Sequence, residues 1–551
     1  MKKPMYIILG VLIVAGVLFV WFREGNISLN LGNSTSDQAN DPDAVVWDDD
    51  TYGVSSNHPI AVEVGENVLE NGGNAADAAV AMSYALGVVE PFGSGLGGGG
   101  EMVFYFDDGS QDPVAYQYKE TVPLSGNIPA NDMGVPGFVK GMDLINQELG
   151  TKPMEELMDP AIIFAEEGFE ADGLLVSRLN AASDRLPINE LEQFFPNGEV
   201  ISENDTVQQP ELAETLKAIQ AEGPDAFYDG EIAKSIIAHS GHVTTDDMKA
   251  YKPVEAEPVV GEFMGYDIYT ASPPLSGVTL VQILQTADVL QEYMSVENET
   301  DYIHLLAEIT KRAYDDRLNI LGDPEFFDNP IAETTSMEYA EDLADSIDLE
   351  NISTGFEEDD SMAEDDADNT THFVVIDQDG MVVSTTNTLG DFFGSGQYVE
   401  GFFLNDAMNN FSEREASPNS VEPGKTPRSF MSPTILVSDE KIIGIGTPGG
   451  SRIPMMMGQT IIQNIMFGKE IQEAIDAPRF ALEGDDLFIE DMKDGISDEV
   501  RDGLTERGYN VYLKDTGLYF GGIQALVLDK ENNELYGGAD SRRIGTWDTG
   551  N

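Results

Sequence analysis

A strongly acidic segment runs directly into a pattern of buried β-structure, and this junction constrains the fold more than any other feature. Residues 349–369 include the run FEEDDSMAEDDADN, which has too few apolar side chains to bury a core, so we expect a disordered acidic linker. The residues that follow, THFVVIDQDGMVVSTTNT, predict a β-hairpin with strands at His372–Ile376 and Met381–Thr385 around a turn at Asp379-Gly380. A linker that meets a core strand near Thr370 is a place where the chain can be cut.

A cut between Asn369 and Thr370 would give Thr370 both a hydroxyl and a free α-amine. An α-amine has a pKa of about 7.7–8.0, so it can take the proton of the hydroxyl, directly or through a water, and activate the oxygen as a nucleophile. The same hydroxyl can make the cut by attacking the Asn369 carbonyl, which gives an ester that water hydrolyses. Taken alone the pattern is weak, because threonine pairs also begin ordinary strands.

The charge and the composition exclude several classes of function. The 551 residues include 29 Lys and Arg against 100 Asp and Glu, a formal net charge of −71, and no cysteine. We expect no nucleic-acid partner, because nucleic-acid binding needs a basic surface. The acidic residues are spread along the chain, which favours the solvated surface of a halophilic protein over a cation site, since at about 1 M salt the Debye length is only about 3 Å. Disulfides and thiol nucleophiles are excluded.

The N-terminus has the pattern of a membrane anchor. Two lysines precede the uncharged run Pro4–Phe22, whose 19 residues come close to the roughly 20 that span a bilayer as a helix. The lysines place the N-terminus inside, and the run ends without the small-x-small site of a cleaved signal peptide. We therefore predict an uncleaved transmembrane helix over residues 1–23, a flexible stalk over 24–46, and a single-pass protein of the cell membrane with its catalytic part outside the cytoplasm.

From about Trp47 the chain has a globular pattern to its end. Apolar periodicity predicts helices within residues 60–90, 155–220 and 300–345. Strand patterns lie within residues 100–118, 371–386 and 433–446. No repeat of 20–50 residues is visible, so a solenoid is not expected.

Several long motifs in a fixed order resemble one known family. The motifs are GGNAADAAVAMSYALGVVEPFGSGLGGGGEMVFY over 72–105, the region from TTHFVVIDQDGMVVSTTNT to SFMSPTI over 370–435, GTPGGSRIP over 446–454 and LYGGADSRR over 535–543. In this order and spacing they resemble the γ-glutamyltransferases, which belong to the N-terminal-nucleophile hydrolase superfamily. The likeness covers roughly residues 50–550.

The resemblance implies an α+β fold, a four-layer αββα sandwich, made by autocleavage into two subunits. The large subunit would cover 47–369 and end in the acidic linker, and the small catalytic subunit would cover 370–551, the two forming a heterodimer from one chain. Thr370 would be the nucleophile and Thr388 the threonine whose hydroxyl supports it. The backbone N–H groups of Gly449 and Gly450 would form the oxyanion hole, which glycine suits because it lets backbone donors approach closely.

Each of these residues also has a structural interpretation. Gly449 and Gly450 fit a tight turn, Thr388 a strand end, and Ser429, which matches a serine that helps hold the donor α-carboxylate, a loop cap. The shared context favours the functional interpretation in each case. The glycines at 97–100 are expected to allow close packing below the site, because no Lys-Ser/Thr follows to make a phosphate loop.

The chain departs from the family where the amino-acid end of a small donor would bind. Lys119 stands where glutathione-processing members have an Arg, and it keeps the charge but loses the bidentate fork. Asn410 stands where members have an Asp that binds the donor's free α-amine, Gly390 where they have Asn, and Phe430 where they have a second serine. This pattern is expected if the donor's α-nitrogen is an amide, as inside poly-γ-glutamate, whose cleavage and transfer a membrane-attached subgroup of the family performs.

Two arginines near the C-terminus leave an alternative open. Arg542 and Arg543 fit either contacts to carboxylates along a polymeric donor or surface arginines in a family turn. His372 lies on the same strand face as Thr370, so a triad with Asp377 or another acid is the competing interpretation of the base, which the free amine makes unnecessary.

Three functions therefore compete. The first is a γ-glutamyl acyltransferase or hydrolase acting on glutathione and similar small donors, with an amine or water as acceptor. The second is the same chemistry on poly-γ-glutamate, and the third is an inactive homologue that keeps the fold for binding. We expect no cofactor and no metal, because His239 and His242 lack the spacing and the Glu partner of a zinc helix.

Overall fold

Two seven-stranded antiparallel sheets lie face to face at the centre of the protein. The computed structural model describes residues 44–48, 50–295, 298–356, 370–414, 416–491, 496–515 and 517–551. The strands in these ranges are β1 (Val45–Val46), β2 (Tyr52–Ser56), β3 (Gly99–Phe106), β4 (Val114–Gln117), β5 (Phe169–Glu170), β6 (Thr206–Val207), β7 (Val254–Ala256), β8 (Val259–Phe263), β9 (Tyr266–Thr270), β10 (Thr370–Ile376), β11 (Met381–Thr388), β12 (Tyr398–Val399), β13 (Phe402–Phe403), β14 (Thr434–Val437), β15 (Lys441–Gly446), β16 (Phe480–Glu483), β17 (Asp486–Glu490), β18 (Asn510–Lys514), β19 (Gln524–Asp529), β20 (Glu534–Ala539) and β21 (Thr546–Gly550).

Each of the two sheets contains strands that precede the acidic linker and strands that follow it. The first sheet has the order β21-β2-β10-β11-β3-β4-β7 and the second the order β1-β20-β19-β15-β14-β9-β8. The predicted hairpin is confirmed as β10 and β11, which pair in register from Thr370 with Thr388 to Ile376 with Val382. Each sheet thus contains strands from both sides of the predicted cut.

Helices cover the outer faces of both sheets. They are α1 (Pro59–Glu70), α2 (Ala75–Val89), α3 (Phe138–Leu149), α4 (Met154–Glu167), α5 (Gly173–Ala182), α6 (Pro210–Glu222), α7 (Pro224–Tyr228), α8 (Glu231–Ser240), α9 (Thr245–Ala250), α10 (Gly277–Val289), α11 (Glu299–Ile320), α12 (Ile331–Thr334), α13 (Met337–Asp345), α14 (Ile453–Ile461), α15 (Ile471–Asp476) and α16 (Asp498–Arg507). Helices α1 and α2 pack on the first sheet, and α10, α11 and α14 pack on the second.

Strand alternation in β10 explains the layers. Successive side chains of a strand point to opposite faces. Phe373 and Val375 join the core under α1 and α2. Val374 and Ile376 join a separate core between the two sheets, with Ile435 and other apolar residues of the second sheet. Because both faces of β10 are covered, every residue of this strand is buried, and the layers follow the order helix, sheet, sheet, helix.

Two predicted segment boundaries need correction. The stalk predicted to reach residue 46 is too long, because Val45 and Val46 form β1 and pair with Leu535 and Glu534 of β20. Residues 349–356 of the predicted disordered linker are held on the protein: the N–H of Ile352 donates to the Arg507 carbonyl at 3.2 Å, and α11 binds the next residue through side chains.

Some predictions fall on residues that the structure does not describe. The transmembrane helix over 1–23, most of the stalk, Asn369 and the linker over 357–369 lie outside the described residues. Among the helices of residues 44–551 that are described, none has the length and apolarity to cross a membrane.

Candidate active site

The predicted nucleophile and its supporting threonine are direct neighbours. Thr370 begins β10 and Thr388 ends β11, and the two residues are register partners. Their hydroxyl oxygens lie 3.4 Å apart, and the Gly390 N–H donates to the Thr388 hydroxyl at 3.0 Å. Thr370 and Thr388 are 5% and 6% exposed. The Thr388 hydroxyl therefore has a fixed donor on one side and can accept from or donate to the nucleophile on the other.

The facing sheet brings the predicted oxyanion loop to the same end. A Cβ added to Gly444 would lie 2.5 Å from a methyl carbon of Val374, and one added to Gly446 would lie 2.1 Å from the His372 ring. Strands β15 and β10 therefore face each other and run in opposite directions: two residues forward along β15 correspond to two residues back along β10. Continued by one more pair, this spacing points residue 448 towards Thr370, so the Gly449-Gly450 loop follows at the end of the sandwich where the predicted nucleophile lies.

The backbone of this loop presents two N–H groups. Gly449 has φ 145° and Gly450 has φ 54°, conformations that favour glycine. The short 3₁₀ turn Gly450–Arg452 begins here and leads into α14. Neither amide donates to another atom among the described residues. Two such amides at a helical start are suited to binding an oxyanion, which is the role that the sequence predicts for them.

The backbone of Thr370 is held by Arg543. Its Nη1 donates to the Thr370 carbonyl at 3.3 Å, and the arginine is 4% exposed. Elsewhere in the core, the Glu90 side chain is buried, and this burial raises the pKa of its carboxyl. The predicted role of Arg543 on a polymeric donor thus stays a prediction, and in the structure this arginine contacts the main chain of Thr370.

The structure does not assemble a triad from His372 and Asp377. The His372 Nδ1 lies 2.9 Å from the Thr386 hydroxyl, and burial lowers the pKa of the imidazole to about 3. Asp377 lies at the other end of the strand, where its carboxylate accepts from the backbone N–H groups of Ala75, Asp379 and Met381. His372 is a neutral core residue, and the turn carboxylate caps α2.

Lys119 lies across the first sheet from Thr370, and its side chain already forms an ion pair with Glu120. It extends β4 at the position beside Gly99, and Gly99 is the register partner of Thr388. Three strand spacings, about 14 Å, therefore separate the backbones of Lys119 and Thr370. The Lys119 side chain is buried, and its Nζ lies 2.7 Å from Glu120 Oε2. Its charge is balanced inside the protein.

Asn410 and Ser429 lie on two neighbouring loops. Asn410 ends the 3₁₀ turn Ala407–Asn410 and is half-buried, and within the described residues its side chain makes no hydrogen bond. Ser429 is also half-buried, and its hydroxyl accepts weakly from the Met431 N–H at 3.4 Å. Both side chains keep polar atoms available for a ligand.

Phe430, which replaces a family serine, fills its pocket with a ring. The guanidinium carbon of Arg317 lies 3.4 Å from the centre of the Phe430 ring, and the Tyr314 ring lies 5.6 Å from it. The Tyr314 hydroxyl donates to the Ser451 carbonyl at 2.5 Å. Sequence reasoning noted the substitution but missed Tyr314 and Arg317, because α11 carries them without any local motif. Tyr314 thus links Phe430, the neighbour of Ser429, to Ser451, the neighbour of Gly450.

Arg542 is fully engaged inside the protein. Its five N–H groups meet both carboxylate oxygens of Glu490, one of Asp540 and the carbonyls of Ile475 and Ala477, at 2.7–3.2 Å. In this arrangement none is left for a substrate carboxylate. Arg542 therefore differs from the predicted surface arginine, because its side chain is buried against Glu490 and Asp540.

Two acidic residues that sequence reasoning missed lie beside Gly390. The Asp391 N–H donates to Asp406 Oδ1 at 2.9 Å, and a Cβ on Gly390 would lie 1.9 Å from that oxygen. Burial and the neighbouring Asp391 raise the pKa of Asp406. The carboxyl of Asp406 thus occupies the space of a side chain at position 390.

The glycines at 97–100 have the packing role predicted for them. A Cβ on any of these four residues would lie 2.0–2.5 Å from a backbone or amide oxygen of a neighbouring strand or loop. Within the described part of the chain, no group of three or more His, Asp or Glu side chains is placed to hold a metal ion.

Comparison with known proteins agrees with these motifs. A family model described as gamma-glutamyltranspeptidase matches residues 61–548. The chain is 43% identical over 502 residues to the capsule biosynthesis protein CapD proenzyme of Bacillus anthracis, with 91% of each chain covered. It is 33% identical over 534 residues to the glutathione hydrolase proenzyme of Bacillus subtilis, covering 89% of this chain and 90% of that relative. Its fold is similar to the crystal structure of a cephalosporin acylase from Bacillus halodurans, with a TM-score of 0.83 and 24% identity over 94% of this chain and 99% of that one.

Proposed function

Since the chain belongs to the gamma-glutamyltranspeptidase family, we propose that it transfers a γ-glutamyl group from a donor, through an ester on Thr370, to water or an amine. The observation that carries this proposal is the contact of the Thr370 and Thr388 hydroxyls at 3.4 Å. The loop of Gly449 and Gly450, whose N–H groups have no acceptor among the described residues, follows β15 at the same end of the two sheets and supports the proposal.

The chemistry follows from these groups. After cleavage at Asn369-Thr370, the Thr370 amine takes the hydroxyl proton while the oxygen attacks the γ-carbonyl carbon of the donor. The carbonyl oxygen becomes an oxyanion, which the N–H groups of Gly449 and Gly450 stabilise. The carbon–nitrogen bond breaks, and the proton passes from the amine to the leaving nitrogen. Water or an acceptor amine then attacks the threonyl ester and regenerates the hydroxyl.

Within this chemistry we propose poly-γ-glutamate as the preferred donor over glutathione. Three features that would bind a free amino-acid end are altered: Lys119 is buried against Glu120, Asn410 has no charge to pair with an ammonium, and Phe430 fills a serine position. An internal residue of the polymer has no free α-amine to bind. The 43% identity to a capsule biosynthesis proenzyme supports the same direction.

The charge of the chain sets a condition on this donor. A surface with a net charge of −71 repels a polyanion at low ionic strength, and salt screens that repulsion. We therefore propose that the enzyme works in a salty medium. We also propose that its N-terminal segment anchors it to the outer side of the cell membrane, and that cleavage leaves it as a large and a small subunit of one chain.

Initial rates on two donors test the proposal. Purified, cleaved enzyme is compared on a small γ-glutamyl anilide, which has a free α-amine, and on poly-γ-glutamate at high salt. We expect faster release of γ-glutamyl units from the polymer, and acceleration by an amine such as glycylglycine if transfer competes with hydrolysis. A strong preference for the anilide would refute the polymeric donor but not the chemistry.

The hypothesis of an inactive homologue predicts no turnover of either donor. It requires that neither donor is turned over by a folded protein, with Thr370→Ala as the matched inactive control. Equal rates for the wild type and this variant would favour a binding role.

A further inference from the structure

A buried carboxyl lies on the same face of the first sheet as Thr370, two strands away and level with His372. Glu101 on β3 is the register partner of Thr386, which is the register partner of His372. The carboxyl is fully buried, and both its oxygens accept hydrogen bonds. Oε1 accepts from the N–H and the hydroxyl of Ser272 at 2.7 and 3.1 Å, and Oε2 accepts from the Gln117 side-chain amide at 3.0 Å.

Gln117 strengthens the same connection. Its Nε2 also lies 3.3 Å from the Ser272 hydroxyl and 3.3 Å from the Pro273 carbonyl. Ser272 follows β9, which belongs to the second sheet. Glu101 and Gln117 therefore join the first sheet to the chain that leaves the second sheet, at the end of the sandwich where the active site lies.

The segment that begins at Ser272 holds the loop of Ser429. The Pro274 carbonyl accepts from the Ser429 N–H at 3.3 Å, and the Ser276 hydroxyl donates to the Ser429 carbonyl at 2.7 Å. The Ser276 N–H donates to the Met431 carbonyl at 3.1 Å. We call residues 272–276 the bracket. Both backbone groups of Ser429 are fixed by the bracket, and the bracket is fixed at its start by Glu101.

We propose that Glu101, through the bracket, is a positioning residue that sets the place of Ser429 relative to Thr370 and thereby determines how tightly the donor binds. The donor part of this proposal rests on the proposed function. Glu101 does not touch the reacting atoms, because its oxygens are satisfied by Ser272 and Gln117. A side chain without acceptors at 101 would leave the buried Ser272 N–H unpaired and would remove the shortest of the three contacts of the Gln117 amide, and buried polar groups tolerate such a loss poorly.

The test uses isosteric variants of the full chain. Glu101→Gln keeps the shape but offers one acceptor and one donor, so it cannot serve Ser272 and the Gln117 amide at once. Ser272→Ala removes the partner hydroxyl from the other side. Glu63→Gln is the matched control, since it changes a largely buried carboxyl on α1 outside this network.

Two measurements are made on each variant. The first is amide hydrogen exchange of peptides covering the bracket and residues 429–431, which we expect to speed up in Glu101→Gln and in Ser272→Ala but not in the control. The second is the kinetics on a γ-glutamyl donor, where we expect KM to rise about tenfold in Glu101→Gln and in Ser272→Ala while kcat changes little. The double variant that combines these two substitutions should have a KM no higher than that of Glu101→Gln, because both act on the same contact.

The outcomes separate this inference from the proposed function. Unchanged exchange at 429–431 in Glu101→Gln would overturn the inference whatever the activity, as would a fall in kcat with constant KM. A wild type that turns over no γ-glutamyl donor would refute the proposed function, and with it the donor-binding part of the inference, while the exchange data would still decide whether Glu101 holds Ser429.

Discussion

Replacing Gly446 by alanine tests whether close packing between the sheets places the nucleophile. The added Cβ would lie 2.1, 2.5 and 2.6 Å from three atoms of the His372 ring. Ordinary carbon contacts lie at about 3.5–4.0 Å, so ring and methyl group must separate by roughly another 1.4 Å. The ring cannot swing freely, because its Nδ1 is bound to Thr386 and the residue is fully buried.

The cost is expected in both stability and rate. Overpacking a well-packed core costs about 1–3 kcal/mol, and contacts this short put Gly446→Ala near the upper end of that range. His372 is two residues from Thr370 on the same strand, and a displacement of about 1 Å at a reacting group can cost about a hundredfold in rate. We therefore expect a lower urea midpoint with an unchanged slope and a kcat reduced by one to two orders of magnitude.

A matched glycine controls for the substitution itself. Gly173 begins α5, and an added Cβ there has its nearest neighbours at 3.8–3.9 Å, so Gly173→Ala should be neutral or slightly stabilising. Urea unfolding and initial rates on a γ-glutamyl donor are measured for both variants. If Gly446→Ala keeps wild-type stability and a kcat within about twofold, the close approach of β15 to His372 does not place the nucleophile.

Three further outcomes are expected. Thr388→Val should lower kcat by about tenfold or more while Thr388→Ser retains most of it, because only the hydroxyl contacts the nucleophile; equal rates for the two would remove that role. Since burial lowers the pKa of His372 from 6.5 to about 3, the unfolded state binds a proton that the folded state does not, so the free energy of unfolding should fall as pH drops from 6.5 towards 3. His372→Gln should flatten that pH dependence, and an unchanged slope would contradict it. Arg479→Met should destabilise the protein by about 3–5 kcal/mol in urea, because it leaves the fully buried Asp540 short of a partner at 2.6 Å; a loss below about 1 kcal/mol would refute this.

The hairpin that carries the site was predictable from sequence for a local reason. Alternating β-branched residues and the Asp379-Gly380 turn are contained in one stretch of chain, and the structure has β10 and β11 in that place with Gly380 at φ 80°. The contact between Thr370 and Thr388 then follows from the register of a single hairpin.

The surroundings of the site depend on contacts between distant segments, which no local pattern contains. The sequence predicts that the Lys119 charge is available to a donor carboxylate, and only the structure shows that this side chain is buried against Glu120. Arg542 is similar, because its acceptors come from α15, β17 and the turn at Asp540. The hydrogen bond from the Ser272 N–H to Glu101, which fixes the bracket, joins residues 171 positions apart.

The ends of the predicted linker and stalk were misplaced for a related reason. Composition alone made residues 349–356 look solvated, whereas side chains of α11 bind Ser353. Val45 and Val46 are too few to show a strand pattern, and they form one only because β20 offers an edge.

N-terminal sequencing of the purified protein tests the central claim most directly. Residues 26–551 are expressed, folded in high salt and separated on a denaturing gel, beside the variant Thr370→Ala. A self-generated threonine nucleophile predicts a fragment of about 20 kDa, the share of the 59.9 kDa chain that residues 370–551 make up, beginning Thr-Thr-His-Phe and absent from the variant. A folded wild-type chain that stays whole would contradict the account, because Thr370 would then have no α-amine to act as its base.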